Sequence, residues 1–172
     1  MTTITYTSRE EIEVHKFSAF ATVGIPLLAI FFQVYVSSRF SFLKLFDIPL
    51  LVTIFFAVSR RNQLAGMLTG CAIGLTQDAL THLPIGIYGI AKTIIGYGAS
   101  SIGVKVDVDN PGSRFLMVFF FTFLHDALYF IVRRHLLGIP SEWRTIHEAA
   151  AALANGLLAV VLFAIMDRTK KR

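Results

Sequence analysis

Six long apolar segments, separated by short polar or turn-forming gaps, occupy almost the whole chain and leave little from which a water-soluble fold could be built. A helix needs about 20 mostly apolar residues to cross a hydrocarbon core of about 30 Å. The segments read as Phe17–Val36, Asp47–Ser59, Leu64–Leu80, Ile85–Val104, Phe115–Leu137 and Thr145–Met166. In lipid every backbone polar group must find its partner within the protein, so such segments become helices. The sequence therefore predicts an all-α, polytopic membrane protein. Its six transmembrane helices form one compact bundle over residues 17–167, between an N-terminal tail, 1–16, and a basic tail, 168–172. Only 16% of the residues are charged, whereas soluble domains carry about 25%.

Local signals refine this outline. Pro26 removes a backbone donor and is expected to bend the first helix. The run that contains it is long for a signal-peptide core and has no convincing cleavage site, so it reads as a retained span. The second segment is short for a span. Phe40–Phe46 is read as an interfacial turn before it, and Asp47 followed by Pro49 as a helix start. Thr81–Pro84 leaves room only for a tight turn, so the third and fourth segments form a helical hairpin. Phe119–Phe121 in the fifth are expected to face lipid.

The formal net charge of +5 follows the loops. Lys and Arg lie between apolar segments and at the C-terminus, which fits the positive-inside rule and not a nucleic-acid surface. With six spans, one side carries Arg9, Lys16, Arg60, Arg61, Lys105, Arg114, Arg168, Lys170, Lys171 and Arg172, about ten basic residues. The other side carries Arg39, Lys44, Arg133, Arg134 and Arg144, about five. Both termini are thus expected in the cytoplasm, with Tyr35 and Trp143 at the outer interface.

Two groups of residues stand out. Gly66, Gly70 and Gly74 share one face of the third helix, and Gly89, Gly96 and Gly103 recur on the fourth. Such faces either close the hairpin on itself or receive a partner's transmembrane helix, because close small-residue packing drives association in lipid. Asp78 and Lys92 are charges inside apolar spans, where an unpaired charge costs about 2.5–3.5 kcal/mol. Folding the hairpin about residues 82–83 places position 78 opposite 87 and position 92 opposite 73. The two charges are then roughly 7–8 Å apart in depth, within reach of a structural ion pair or of a proton or substrate site. His125 and Asp126 point about 100° apart on the fifth helix, so they form no ready metal pair, and one of them is a candidate to join this cluster. Glu148, Ala152, Asn155 and Ala159 form an inward-facing stripe on the sixth helix. His82, in the outer turn, is expected to be solvated. The single cysteine, Cys71, offers neither a disulfide nor zinc-site spacing. No phosphate loop, catalytic triad or HExxH is present, and no cofactor is implied.

The stretch Asp47-Ile-Pro-Leu-Leu, Arg60-Arg61, Gly66, Gly70-Cys-Ala-Ile-Gly74-Leu-Thr-Gln-Asp78, Pro84-Ile-Gly86-Ile-Tyr-Gly89 and Gly96-Tyr97 resembles the rod shape-determining protein MreD family. Gln33, late in the first helix, also fits. The distinctive part is 47–97, and Lys92 is not part of the pattern. The resemblance implies a non-enzymatic component of the bacterial elongasome in the inner membrane, binding MreC and acting with MreB, RodA and a class B penicillin-binding protein. A weaker resemblance extends to the substrate-binding components of energy-coupling-factor transporters, which also have six compact helices. It implies the alternative of a vitamin-binding subunit. The first helix argues against that alternative, since Ala19, Ala21, Gly24 and Ala29 make no repeated four-residue stripe.

Overall fold

A computed structural model of the chain describes residues 17–82, 84–106 and 110–169. The tail 1–16 and the basic residues 170–172 used in the topology count lie outside the described residues. Six α-helices follow one another: α1 Ala19–Arg39, α2 Ile48–Arg60, α3 Gln63–Leu80, α4 Ile87–Gly103, α5 Pro111–Ile131 and α6 Thr145–Met166. A 3-10 turn, Ser41–Leu45, stands before α2, a π turn, Val132–Leu136, extends α5, and a 3-10 turn, Asp167–Thr169, ends α6. No strand occurs among the described residues.

Among the described residues four stretches are long and apolar enough to cross a membrane: Phe20–Ser37, Phe42–Arg60, Pro111–Leu136 and Thr145–Thr169. The chain is a helical multi-pass membrane protein. α3 and α4 fall outside that set for reasons visible in their residues. α4 has 17 residues, and α3 carries three glycines together with Gln63, Gln77 and Asp78.

α2 holds the centre. It touches all five other helices, and every residue from Pro49 to Ser59 is buried. The reason lies in its sequence, which is apolar on all sides; a helix of that kind belongs inside. The Asp47 side chain caps it, Oδ1 accepting from Leu50 N at 2.9 Å, and Arg61 ends it in the left-handed region at φ 51°. α1 lies at the opposite extreme, with Phe20, Leu28 and Phe31 exposed, as suits a helix bathed in lipid.

Two expectations for α5 need correction. α5 begins at Pro111, four residues before the expected Phe115, because the Asn110 side chain accepts from Gly112 N at 2.8 Å and Pro111 takes a first-turn position. Phe121 does not face lipid. It is buried in the core, whereas Phe120, one residue earlier, is exposed, since neighbours on a helix point about 100° apart.

α3 and α4 meet backbone to backbone. A methyl placed on Gly70 would overlap the carbonyl of Lys92, one on Gly74 the carbonyl of Tyr88, and one on Gly66 the carbonyl of Gly96. From the other side, Gly96 abuts the Gly66 carbonyl, Gly89 lies under Leu75, and Gly103 sits against Val58 of α2. The glycine face of α3 is thus occupied by α4 of the same chain. The register is shifted by three residues from the expected one: Lys92 stands opposite residue 70, not 73.

Candidate functional site

The three-residue shift redirects both intramembrane charges. It moves Asp78 away from Lys92, to the turn that leads into α4. There Oδ2 accepts from Gly86 N at 2.9 Å and Gly89 N at 3.1 Å, while Oδ1 accepts from Tyr88 N at 3.1 Å. The first four N–H groups of a helix have no partner within it, and a carboxylate there also meets the positive end of the helix dipole. Gly86, at φ 112°, allows the approach. The motif Gly74-Leu-Thr-Gln-Asp78 with Pro84-Ile-Gly86 is therefore the joint of the hairpin: glycine for close packing, aspartate for the cap, glycine for the turn.

Lys92 does not pair with Asp78. Its side chain is fully buried and Nζ lies 2.7 Å from Asp47 Oδ2. Nζ is also 5.2 Å from the centroid of the Tyr88 ring. Asp47 thus has two roles, its second oxygen capping α2 as described. Removing one member of a buried pair leaves an uncompensated charge and costs about 3–5 kcal/mol. Asp47 reads from sequence only as a helix start. The missing signal was the demand of a buried lysine for a carboxylate, with three candidates at 47, 78 and 126 and only the packing to choose among them.

Around Asp47 the other helices contribute amides and rings. Asn155 of α6 accepts from Asp47 N at 3.0 Å and donates to the carbonyls of Leu45 (3.0 Å) and Ala151 (2.9 Å). Gln33 of α1 donates to the carbonyl of Phe46 at 2.7 Å and accepts from Ile48 N at 3.3 Å. The break between the 3-10 turn and α2 leaves backbone groups unsatisfied by any helix, and these two amides supply the partners. His125 lies at the same level, Nε2 being 3.9 Å from Asp47 Oδ2 and Nδ1 3.1 Å from Asp126 Oδ1. Its ring is parallel to Tyr88 at 5.8 Å, and Tyr88 stacks on Tyr129 at 5.0 Å. Adjacent in sequence, His125 and Asp126 do meet, through side chains that turn towards each other.

This assembly floors a cavity of about 970 Å³ at one end of the bundle. Asp47, Gln77, Tyr88, Thr122 and His125 line its depth, and Asp126, Tyr129, Arg133, Trp143 and Glu148 its walls. Several buried polar atoms here have no partner in the protein: Gln77 Oε1, Thr122 Oγ1, His125 Nε2, Arg133 Nε and Ser141 Oγ. Such atoms are commonly satisfied by water or a ligand. Of the four polar residues expected to cluster, Lys92, His125 and Asp126 are gathered here, and Asp78 is committed to the α4 cap. Among the described residues no group of three or more His, Cys, Asp and Glu is placed to hold a metal.

At the opposite end Arg114 at the start of α5 pairs with Asp167 after α6 at 2.6 Å, and Arg60 donates to Thr22 Oγ1 at 2.8 Å.

No curated protein and no solved structure matches the chain. The family model described as rod shape-determining protein MreD matches residues 15–168, nearly the full length, and the chain belongs to that family.

Proposed function

We propose that this member of a rod shape-determining family acts as a non-catalytic membrane scaffold of the elongasome, binding MreC and supporting side-wall peptidoglycan synthesis. The observation that carries the reading is the family match over residues 15–168. Two features of the architecture support it. The buried charges and amides at the centre join α1, α2, α4 and α6 to one another, as a rigid platform requires. The glycine face of α3 is filled by α4, so a partner helix uses another face. RodA, the class B penicillin-binding protein and MreB are reached through MreC on this reading. The protein sits in the inner membrane with six spans and both termini in the cytoplasm; Arg60, Arg61, Lys105, Arg114 and Arg168 mark the inner side.

Depletion in a rod-shaped host tests it. Cells should round up, and MreC should co-purify with the protein from native membranes. The second reading, a vitamin-binding subunit of an energy-coupling-factor transporter, is favoured by one observation, the polar cavity of about 970 Å³. Rod shape retained after clean deletion, with tight vitamin binding by the purified protein, would select it instead.

A further inference from the structure

The cavity holds polar groups of both kinds. Gln77 Oε1, the Thr122 hydroxyl and His125 Nε2 have no hydrogen-bond partner. All three residues are at least nine-tenths buried, at 4%, 1% and 1% exposure. Asp126 and Glu148 add carboxylates to the same cavity. Arg133, in the same walls, has an unpartnered, buried Nε, and Arg134 and Lys44 also line the cavity.

The mixture selects the ligand. A simple anion would satisfy Arg133 but would meet the Asp126 and Glu148 carboxylates. A simple cation would satisfy the carboxylates and be repelled by Arg133, Arg134 and Lys44. A group with N–H donors at one end and acidic oxygens at the other satisfies both. The volume, about 970 Å³, lies at the upper end of the 300–1,000 Å³ usual for small-molecule sites. Trp143, packed edge-on against Phe123 and Phe130 at 5.6 Å from each, is an aromatic of the kind that collects at the membrane interface. Arg133 and Arg134 stand near the end of the Pro111–Leu136 span, where long basic side chains reach the interface.

We propose that this cavity binds a zwitterionic phosphoamine, the phosphoethanolamine headgroup, with its ammonium towards Asp126 and Glu148 and its phosphate on Arg133. The ammonium supplies donors to the two carboxylates and to the unpartnered Gln77 oxygen, and a guanidinium is well suited to phosphate oxygens. The site does not depend on the scaffold reading: a chain that fails to sustain rod shape can still bind the headgroup.

Trp143 is the chain's single tryptophan and lines the cavity, so its emission reports occupancy. The full chain in detergent is titrated with dioleoyl phosphatidylethanolamine, with dioleoyl phosphatidylglycerol, and with soluble O-phosphoethanolamine, and native mass spectrometry gives the stoichiometry. The ethanolamine lipid should saturate at one molecule per chain and bind at least ~10-fold tighter than the glycerol lipid. Asp126→Asn and Arg133→Gln should each weaken it ~10-fold while the glycerol lipid is little affected by Asp126→Asn. Competition by O-phosphoethanolamine would show that the headgroup alone suffices; saturation by the lipid without such competition would make a membrane lipid the ligand. Equal affinity for the two lipids, absence of saturable binding, or unchanged affinity in both variants overturns the proposal. The comparison of lipids on the unaltered chain decides the matter even where a variant does not fold.

Discussion

Lys92 of α4 reaches Asp47 at the head of α2, with 2.7 Å between Nζ and Oδ2, and the other oxygen of that carboxylate accepts from Leu50 N at 2.9 Å. One side chain therefore both neutralises a buried ammonium and starts the central helix. Asp47→Asn can keep the helix cap, since Asn caps as well as Asp, but it strands the buried Lys92; the cost should approach about 3–5 kcal/mol. Asp47→Asn with Lys92→Met should recover part of the loss. Thermal unfolding in detergent measures this, and a double variant no more stable than either single would mean the pair is not coupled.

Gly70→Leu and Gly74→Leu should prevent α3 and α4 from closing, since even a Cβ overlaps the facing carbonyls. Gly24→Ala in α1 is the control. Its new methyl would find only the Phe20 ring, at 3.8 Å, and the yield of folded, monodisperse protein should be unchanged. Equal yields for Gly70→Leu and Gly24→Ala would contradict the observed packing.

Asp78 should obey the order Asp, then Asn, then Leu. Three backbone N–H groups converge on its two oxygens. Asn retains one oxygen and so part of the cap; Leu retains none, and each buried donor left unsatisfied costs about 1–3 kcal/mol. Hydrogen exchange at the amides of Gly86, Tyr88 and Gly89 reads the effect locally. Equal protection in Asn and Leu variants would show that the carboxylate does not cap α4.

Asn155→Leu should destabilise the junction between the Ser41–Leu45 turn and α2, because it frees the Leu45 carbonyl and Asp47 N together. The expected loss is about 2 kcal/mol or more, from two buried backbone groups. Gln33→Leu should act on the same junction, so the two losses should not add. Simple additivity in denaturation would place the amides in separate networks.

Reporter fusions at residue 172 and in the 138–144 connection should report the cytoplasm and the outer side respectively. A C-terminus accessible from outside would exclude the six-span arrangement with both ends in.

Much of the fold was legible because lipid imposes few choices. α6 occupies the expected Thr145–Met166, and the N-cap of α2 falls at Asp47. The burial of α2 was also written in its all-round apolar surface, though shortness suggested an interfacial segment. The polar site was legible in its members and not in its pairings. Lys92 needed an acid, and the hairpin made Asp78 the nearest in sequence. A three-residue change of register, less than one helical turn, gave the lysine to Asp47 and the aspartate to backbone amides. Register in a glycine seam is fixed by which carbonyl lies over which glycine, and sequence periodicity does not carry that. Gln33 and Asn155 went unread as a pair for a related reason: each serves backbone groups at a helix break that is defined only once the helices stand together.

The Asp78 cap bears also on biogenesis. On the six-span arrangement, α3 and α4 are the two members too short or too polar to count as spans alone, and each carries a charge. Because the carboxylate of one is satisfied by the amide groups of the other, and their glycines interlock, the pair can leave the translocation channel as a single inserted unit. Lys92 then remains the one charge of the hairpin that must await a neighbour, and Asp47, made earlier by the ribosome, is already in the bilayer to receive it.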